Sequence, residues 1–254
     1  MTERDARAWM AKGRDESWPD GVFLEIATTF PDLWYENVHH RRLRSHIQAL
    51  ARGRDVLDAG CSTGLLCELA LQSGARSVVG LDLGAERLEK ARLRTRRYSP
   101  PARLEMADLQ TAWPLDTAHI DLVVSSEVIE HLTPERRGFF VAEAYRVLRP
   151  GGTFLVTTPN VERWFTTTPV ASGSWNPHQH WGELSQRELL ALMQGGGFDA
   201  AVSYYRYPKV SAWIRRPGYE RLADAVERLP PRRRLAMNLL GVGVRAIEEP
   251  SRHA

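Results

Sequence analysis

Asp55-Val-Leu-Asp-Ala-Gly-Cys-Ser-Thr-Gly64 is the stretch from which the fold is read. Its apolar run, Val56-Leu57, ends on a carboxylate, Asp58. Gly60 and Gly64 bracket a tight turn, and Leu65-Leu-Cys-Glu-Leu-Ala-Leu71 follows with helical character. Strand, glycine turn and helix in that order form the first unit of a nucleotide-binding α/β fold. Two glycines alone are weak evidence, and the acid just before them strengthens it.

Downstream the pattern repeats. Residues 77–82 read as a second buried strand ending on Asp82, with a helix from Gly84. Pro100-Pro101 breaks the chain, and a short third strand runs into Asp108. A fourth strand over 120–125 leads into Ser126-Glu-Val-Ile-Glu130-His131. Thr133-Pro134 is a helix-start signal, with the hydroxyl at the cap and proline at the first helical position. That helix is expected to reach about Leu148 and to stop at Pro150-Gly-Gly152, before a fifth strand over 153–158. A polar, tryptophan-bearing loop over 159–183 is longer than an ordinary connection, and such loops are usually functional. Then come a helix over 185–195, a strand over 198–205, a helix over 219–229 and a last strand over 239–247. Upstream, Leu33, Trp34, Val38, Leu43, Ile47 and Leu50 lie near helical spacing. Strands alternating with helices imply a mostly parallel, doubly wound sheet with helices on both faces.

The chain has 254 residues, 43% hydrophobic and 26% charged, ordinary for a globular α/β protein. No apolar run reaches the length of a membrane span, and no signal peptide is visible at the N-terminus. Cys61 and Cys67 both sit in the turn–helix unit, with no disulfide or zinc-finger spacing. A reducing, cytoplasmic setting is expected. The net charge is +3, carried mostly by arginine, since the lysines are only Lys12, Lys90 and Lys209. The densest basic segment, 206–234, is read as a solvated face rather than a nucleic-acid surface.

A doubly wound sheet binds its ligand beyond the carboxyl ends of its strands, where Asp58, Asp82 and Asp108 are expected to converge. Asp82 lies about 20 residues past the glycine turn, the place of a ribose-binding acid. A dinucleotide turn needs Gly-x-Gly-x-x-Gly for its pyrophosphate, but Ser62 and Leu65 stand at the second and third glycine positions. Asp58 would repel a pyrophosphate yet could hold a cationic amino group. The residues favour an adenosyl sulfonium.

The series Val56-Leu-Asp-Ala-Gly-Cys-Ser-Thr-Gly64, Val79-Gly-Leu-Asp82, Ala107-Asp-Leu109, Asp121-Leu-Val-Val-Ser-Ser-Glu127 and Leu148-Arg-Pro-Gly-Gly152 resembles the motif ladder of class I S-adenosylmethionine-dependent methyltransferases. The resemblance covers roughly 40–160 and implies a seven-stranded Rossmann-like sheet with an antiparallel last strand. With it go an N-terminal helical lid and a helical insertion before the last strand. A single domain over 1–254 is expected: the lid over 1–52, a cofactor-binding core over 53–160, and over 161–254 the substrate-side loop, insertion and final strands. By the same resemblance Gly60, Cys61 and Gly64 lie along the cofactor's methionine portion with Asp58 near it. Asp82 holds the ribose, Leu83 flanks adenine, Asp108 bonds the adenine amine with Leu109 alongside, and Ser126 and Glu127 face the methyl group. Ser62 stands where the family usually has glycine, which a small side chain tolerates at negative φ.

The segment Glu127-Val-Ile-Glu130-His131 is similar to that of ubiquinone-pathway O-methyltransferases. A related segment occurs in small-RNA 3′-end 2′-O-methyltransferases. In both groups a divalent metal held there can lower the pKa of the acceptor hydroxyl. His180 could complete such a site, but the motif also recurs without metal, and the metal ligands stay undetermined. Without metal, His131 or His180 could serve as general base beside Glu127. Arg42 resembles the arginine that pairs with the cofactor carboxylate in the ubiquinone-pathway enzymes. Trp34, Tyr35, Trp164, Trp175 and Trp181 could line an apolar acceptor pocket.

The expected function is methyl transfer from S-adenosylmethionine to a small organic acceptor, chiefly at oxygen, in a specialised-metabolite pathway, by a monomer or homodimer that uses neither membrane nor nucleic acid. The alternatives are 2′-O-methylation of RNA 3′ ends with a Glu/Glu/His metal site, N-methylation of a small molecule, and non-catalytic nucleotide binding.

Overall fold

The computed structural model describes residues 1–2, 4–6, 41–162, 181–205, 236 and 238–247. The expected leader, most of the 159–183 loop and the helical insertion lie outside those residues.

Helix α1 (Arg41–Leu50) buries Leu43 and Ile47, one turn apart, and leads through Gly53 into the sheet. Strand β1 (Asp55–Ala59) is buried along its whole length. It is followed by α2 (Leu65–Gln72), β2 (Ser77–Asp82), α3 (Ala85–Thr95), β3 (Arg103–Met106) and β4 (Ile120–Ser126). A single 3₁₀ turn (Ile129–His131) precedes α4 (Pro134–Val147) and β5 (Leu148–Pro159). The chain then adds α5 (Gln186–Gly195), β6 (Phe198–Tyr205) and β7 (Asn238–Arg245).

The seven strands lie in the order β3-β2-β1-β4-β5-β7-β6. All neighbours pair in parallel except β7, which runs antiparallel to β5 and β6. The expected sheet, including its antiparallel last strand, is therefore present. Period-two alternation divides the core between the faces. Leu57, Val123, Phe154 and Leu239 pack beneath α4 and α5, whereas Val56, Val124, Leu155 and Leu240 pack beneath α1, α2 and α3.

Two local expectations shift. Thr133 caps α4 by position, with proline following, but its hydroxyl makes no capping bond. The helix also ends at Val147 rather than at the proline, because Leu148 already pairs with Ile120 of β4. The Pro-Gly-Gly segment instead fills an irregularity in β5, between the Ile120–Leu148 and Leu122–Thr153 pairs, with Gly151 at φ +79. By contrast α5 opens on a complete capping box. Glu188 N donates to Ser185 Oγ, and Ser185 N donates to the Glu188 carboxylate.

At the amino ends of the strands Asp55 and Asp121 meet Arg76 and Arg149. Arg76 reaches Asp55 at 2.5 Å and Asp121 at 3.0 Å, and Arg149 reaches them at 3.0 and 2.7 Å. This cluster ties β1, β2, β4 and β5 together at the end opposite the site.

Candidate functional site

Strand order reverses between β1 and β4, and a crevice is expected beyond their carboxyl ends. The glycine turn crosses that point. Gly60 N and Cys61 N both donate to the Leu81 carbonyl, at 2.8 and 2.9 Å, which staples the turn to β2. Gly60 adopts φ +93, and a Cβ there would collide with Cγ2 of Val128. The turn therefore touches the segment that leaves β4. At Gly64, φ is +78 and a Cβ would sit 2.8 Å from that of Ala91, so only glycine lets α3 close onto the start of α2.

Ser62 corrects the expectation of a negative φ, for it lies at φ +46. That conformation costs an L-residue about 1–2 kcal/mol. It lets the Ser62 amide donate to Asp82 Oδ2 at 2.9 Å.

Asp82 ends β2 almost wholly buried. Its Oδ1 accepts from Gly84 N at 2.8 Å and from Arg87 Nε at 2.9 Å, and Arg87 Nη2 makes an ion-pair contact with it at 2.7 Å. Leu83 beside it is 64% exposed, a large apolar side chain open to solvent at the mouth. Asp108 lies at the same corner, since Ala107 N donates to the Asp82 carbonyl at 3.0 Å. Its Oδ1 turns back onto the amide of Gln110 at 2.9 Å. Leu109, expected beside adenine, is buried in the core, its carbonyl accepting from Trp113 Nε1 at 3.3 Å.

Asp58 lies deeper than expected, only 2% exposed. Cys67 Sγ donates to its Oδ2 at 3.4 Å, and its Oδ1 has no hydrogen-bond partner among the described residues. Burial pushes its pKa up to about 7; the Cys67 hydrogen bond opposes this and the Asp82 charge adds to it. Hydrogen bonding to buried Cys61, with burial itself, holds the Cys67 thiol well above its ordinary value.

Beyond β4, Glu127 takes φ +57, uncommon for a side chain of its size. Asn238 Nδ2, on the last strand, donates to both of its carboxylate oxygens at 2.9 and 2.8 Å, and Thr157 Oγ1 of β5 donates at 3.0 Å. Ser126 Oγ lies 2.9 Å from the same threonine hydroxyl. Glu130 is fully buried; its Oε2 accepts from Thr158 Oγ1 at 3.1 Å, and its Oε1 has no hydrogen-bond partner among the described residues. Burial, followed by the Glu127 charge, raises the Glu130 pKa well above the carboxylate range. His131 closes the 3₁₀ turn and is exposed.

The site thus brings together the turn, Asp58, Asp82, Asp108 and Glu127, with the exposed Leu83 at its mouth. It does not gather Glu127, Glu130 and His131 as a metal set: among the described residues no three His, Cys, Asp or Glu side chains are placed to hold an ion. His180 lies outside the described residues. Arg42 donates to the Tyr204 carbonyl on β6 at 3.4 Å. That strand is four positions from β1 in the sheet, roughly 20 Å at ordinary strand spacing. Asn238, Thr157 and Arg87 are the residues that sequence reasoning missed. The signal for Asn238 was an amide immediately before an apolar strand.

The donor set suits a cationic, adenosine-bearing group. Asp58 offers an orphaned buried oxygen to positive charge, and Asp82 sits where a ribose is held in such folds. A Rossmann-like α/β fold is the class that this sheet defines. The methyltransferase-domain family profile matches residues 56–152. The chain is 39% identical over 188 residues to a probable S-adenosylmethionine-dependent methyltransferase of Mycolicibacterium smegmatis, covering 73% of this chain and 68% of that protein. It is 29% identical to a ubiquinone biosynthesis O-methyltransferase of Idiomarina loihiensis, over 71% of this chain and 73% of that one. A fold match, with a TM-score of 0.61 at 18% identity, is a Burkholderia thailandensis 1,6-didemethyltoxoflavin-N1-methyltransferase with bound S-adenosylhomocysteine, covering 97% of this chain and 91% of that one. The chain belongs to the S-adenosylmethionine-dependent methyltransferases.

Proposed function

We propose that the enzyme methylates a small organic acceptor at oxygen, with Glu127 as the residue that receives the acceptor's hydroxyl. The observation that carries this reading is the contact between Gly60 and Val128, which sets Glu127 one residue from the donor turn. Asn238 and Thr157 aim its carboxylate. An ionised carboxylate is acceptor-only, so it orients an incoming O–H and takes its proton as the oxygen attacks. The cofactor, when bound, supplies an electrophilic methyl on a sulfonium for in-line displacement. The protein's further work is alignment and exclusion of water. Asp82 and Asp108 are the proposed ribose and adenine contacts, Leu83 the apolar flank, and Asp58 the buried counter-charge. The similarity to a ubiquinone-pathway O-methyltransferase supports oxygen as the target.

N-methylation is the second reading, favoured by the carboxyl groups gathered in that corner, where Glu127 and Glu183 both act electrostatically on Glu130. Labelled S-adenosylmethionine offered with phenols, hydroxy acids and amines separates the two. Transfer to hydroxyls that falls at least tenfold in Glu127→Gln supports the proposal. Transfer confined to amines supports the second reading.

A further inference from the structure

Asp82 accepts more hydrogen bonds in the free protein than a ribose-binding acid can keep. A carboxylate has about four acceptor sites, two on each oxygen. Among the described residues Oδ1 already receives Gly84 N and Arg87 Nε, which fill both of its sites, with Arg87 Nη2 also in ion-pair contact, while Oδ2 receives only Ser62 N. A vicinal diol held by two hydrogen bonds requires one site on each oxygen. The backbone amides of Ser62 and Gly84 are fixed by the turn and by the start of α3. Arg87 is not: its side chain is 43% exposed and reaches back one turn to cover the acid. Its guanidinium also fills the space beside Gly84, within 2.7–2.9 Å of where a Cβ would lie.

We propose that Arg87 is a cofactor-affinity determinant that holds the ribose-binding oxygen of Asp82 until the cofactor's diol displaces it. The inference rests on the assignment of Asp82 as the ribose acid. Displacement costs the free protein a partly exposed ion pair. Removing the pair should therefore tighten binding by about two- to fivefold, the range for such pairs. Looser product binding is the consequence for the working enzyme, since S-adenosylhomocysteine carries the same diol.

Isothermal titration of the full chain tests this, with S-adenosylhomocysteine and with 5′-methylthioadenosine, a neutral probe that keeps adenine and diol but lacks the amino-acid charges. Arg87→Met keeps helix propensity close to that of arginine. Tighter binding of both probes to Arg87→Met, by a margin that shrinks as salt screens the pair, is expected. Equal or weaker binding of methylthioadenosine to Arg87→Met overturns the proposal. In an Asp82→Asn background the Arg87→Met change should add nothing. If Asp82→Asn alone leaves both affinities unchanged, the ribose assignment fails and the proposal with it. If Asp82→Asn weakens binding but Arg87→Met does not strengthen it, only the proposal falls.

Discussion

Asp58 carries an interior oxygen that lacks a partner among the described residues, and burial pushes its pKa up to about 7; as the proposed counter-charge to the cofactor it should make binding pH-dependent. Its folded pKa lies above the ordinary carboxylate value. Its contribution to stability is therefore full below that value and is lost as pH rises through about 7. Each unit of the shift is worth roughly 1.4 kcal/mol. A bound cation offsets the buried charge only where Asp58 is ionised. The rise in Tm caused by S-adenosylmethionine should therefore be larger at pH 8 than at pH 6, and Asp58→Asn should flatten the difference. At the turn, Ser62→Gly relieves a left-handed residue but loosens the unfolded chain. A gain of up to about 1 kcal/mol in denaturant unfolding is expected, with S-adenosylhomocysteine still bound. The three strand-end acids were legible because strand ends mark the crevice. The depth of Asp58 was not, since it depends on how α2 lays Cys67 over β1. Nor was the sign of φ at Ser62, which is set by an amide reaching 20 residues ahead to Asp82.

The strand–turn–helix element owes its geometry to Gly64, where φ is +78 and Ala91 stands in the way of any side chain. Gly64→Val should destabilise the protein by more than about 2 kcal/mol, through strain and overpacking together. It should also abolish S-adenosylhomocysteine binding, as read by thermal shift and titration. Strands β2 and β6 lie where the sequence places them, β2 as a buried run bounded by turn residues and β6 as an edge strand that alternates between more and less exposed side chains and buries Phe198. The Glu127–Asn238 clamp was not legible. Its partners are 111 residues apart, and the antiparallel register that sets Asn238 opposite Pro159 is decided by the pairing of β5 with β7. Arg87 escaped notice for a different reason. A helical arginine five residues past an acid looks like a solvated side chain until the turn of α3 is seen to fold it back.

At the scale of the molecule, the two ends of the sheet divide the labour. The amino end holds the Asp55–Asp121–Arg76–Arg149 cluster, where Arg76 above all, with Ser77 and Arg149, keeps the Asp55 carboxyl well below its usual range. A depressed acid stabilises the fold above its ordinary pKa, and that stability is lost as pH falls. Asp55→Ala should cost about 1–3 kcal/mol at neutral pH while leaving S-adenosylhomocysteine affinity unchanged. The carboxyl end holds the proposed site, with the glycine turn and Glu127 in neighbouring loops. Incubating the enzyme with methyl-labelled S-adenosylmethionine and an extract separated into small molecules, RNA and protein tests most directly the proposal that Glu127 receives a small-molecule acceptor. Label should enter the small-molecule fraction with the wild-type enzyme and fall at least tenfold with Glu127→Gln. Label entering the RNA or protein fraction, or a Glu127→Gln enzyme as active as the wild type, would contradict it.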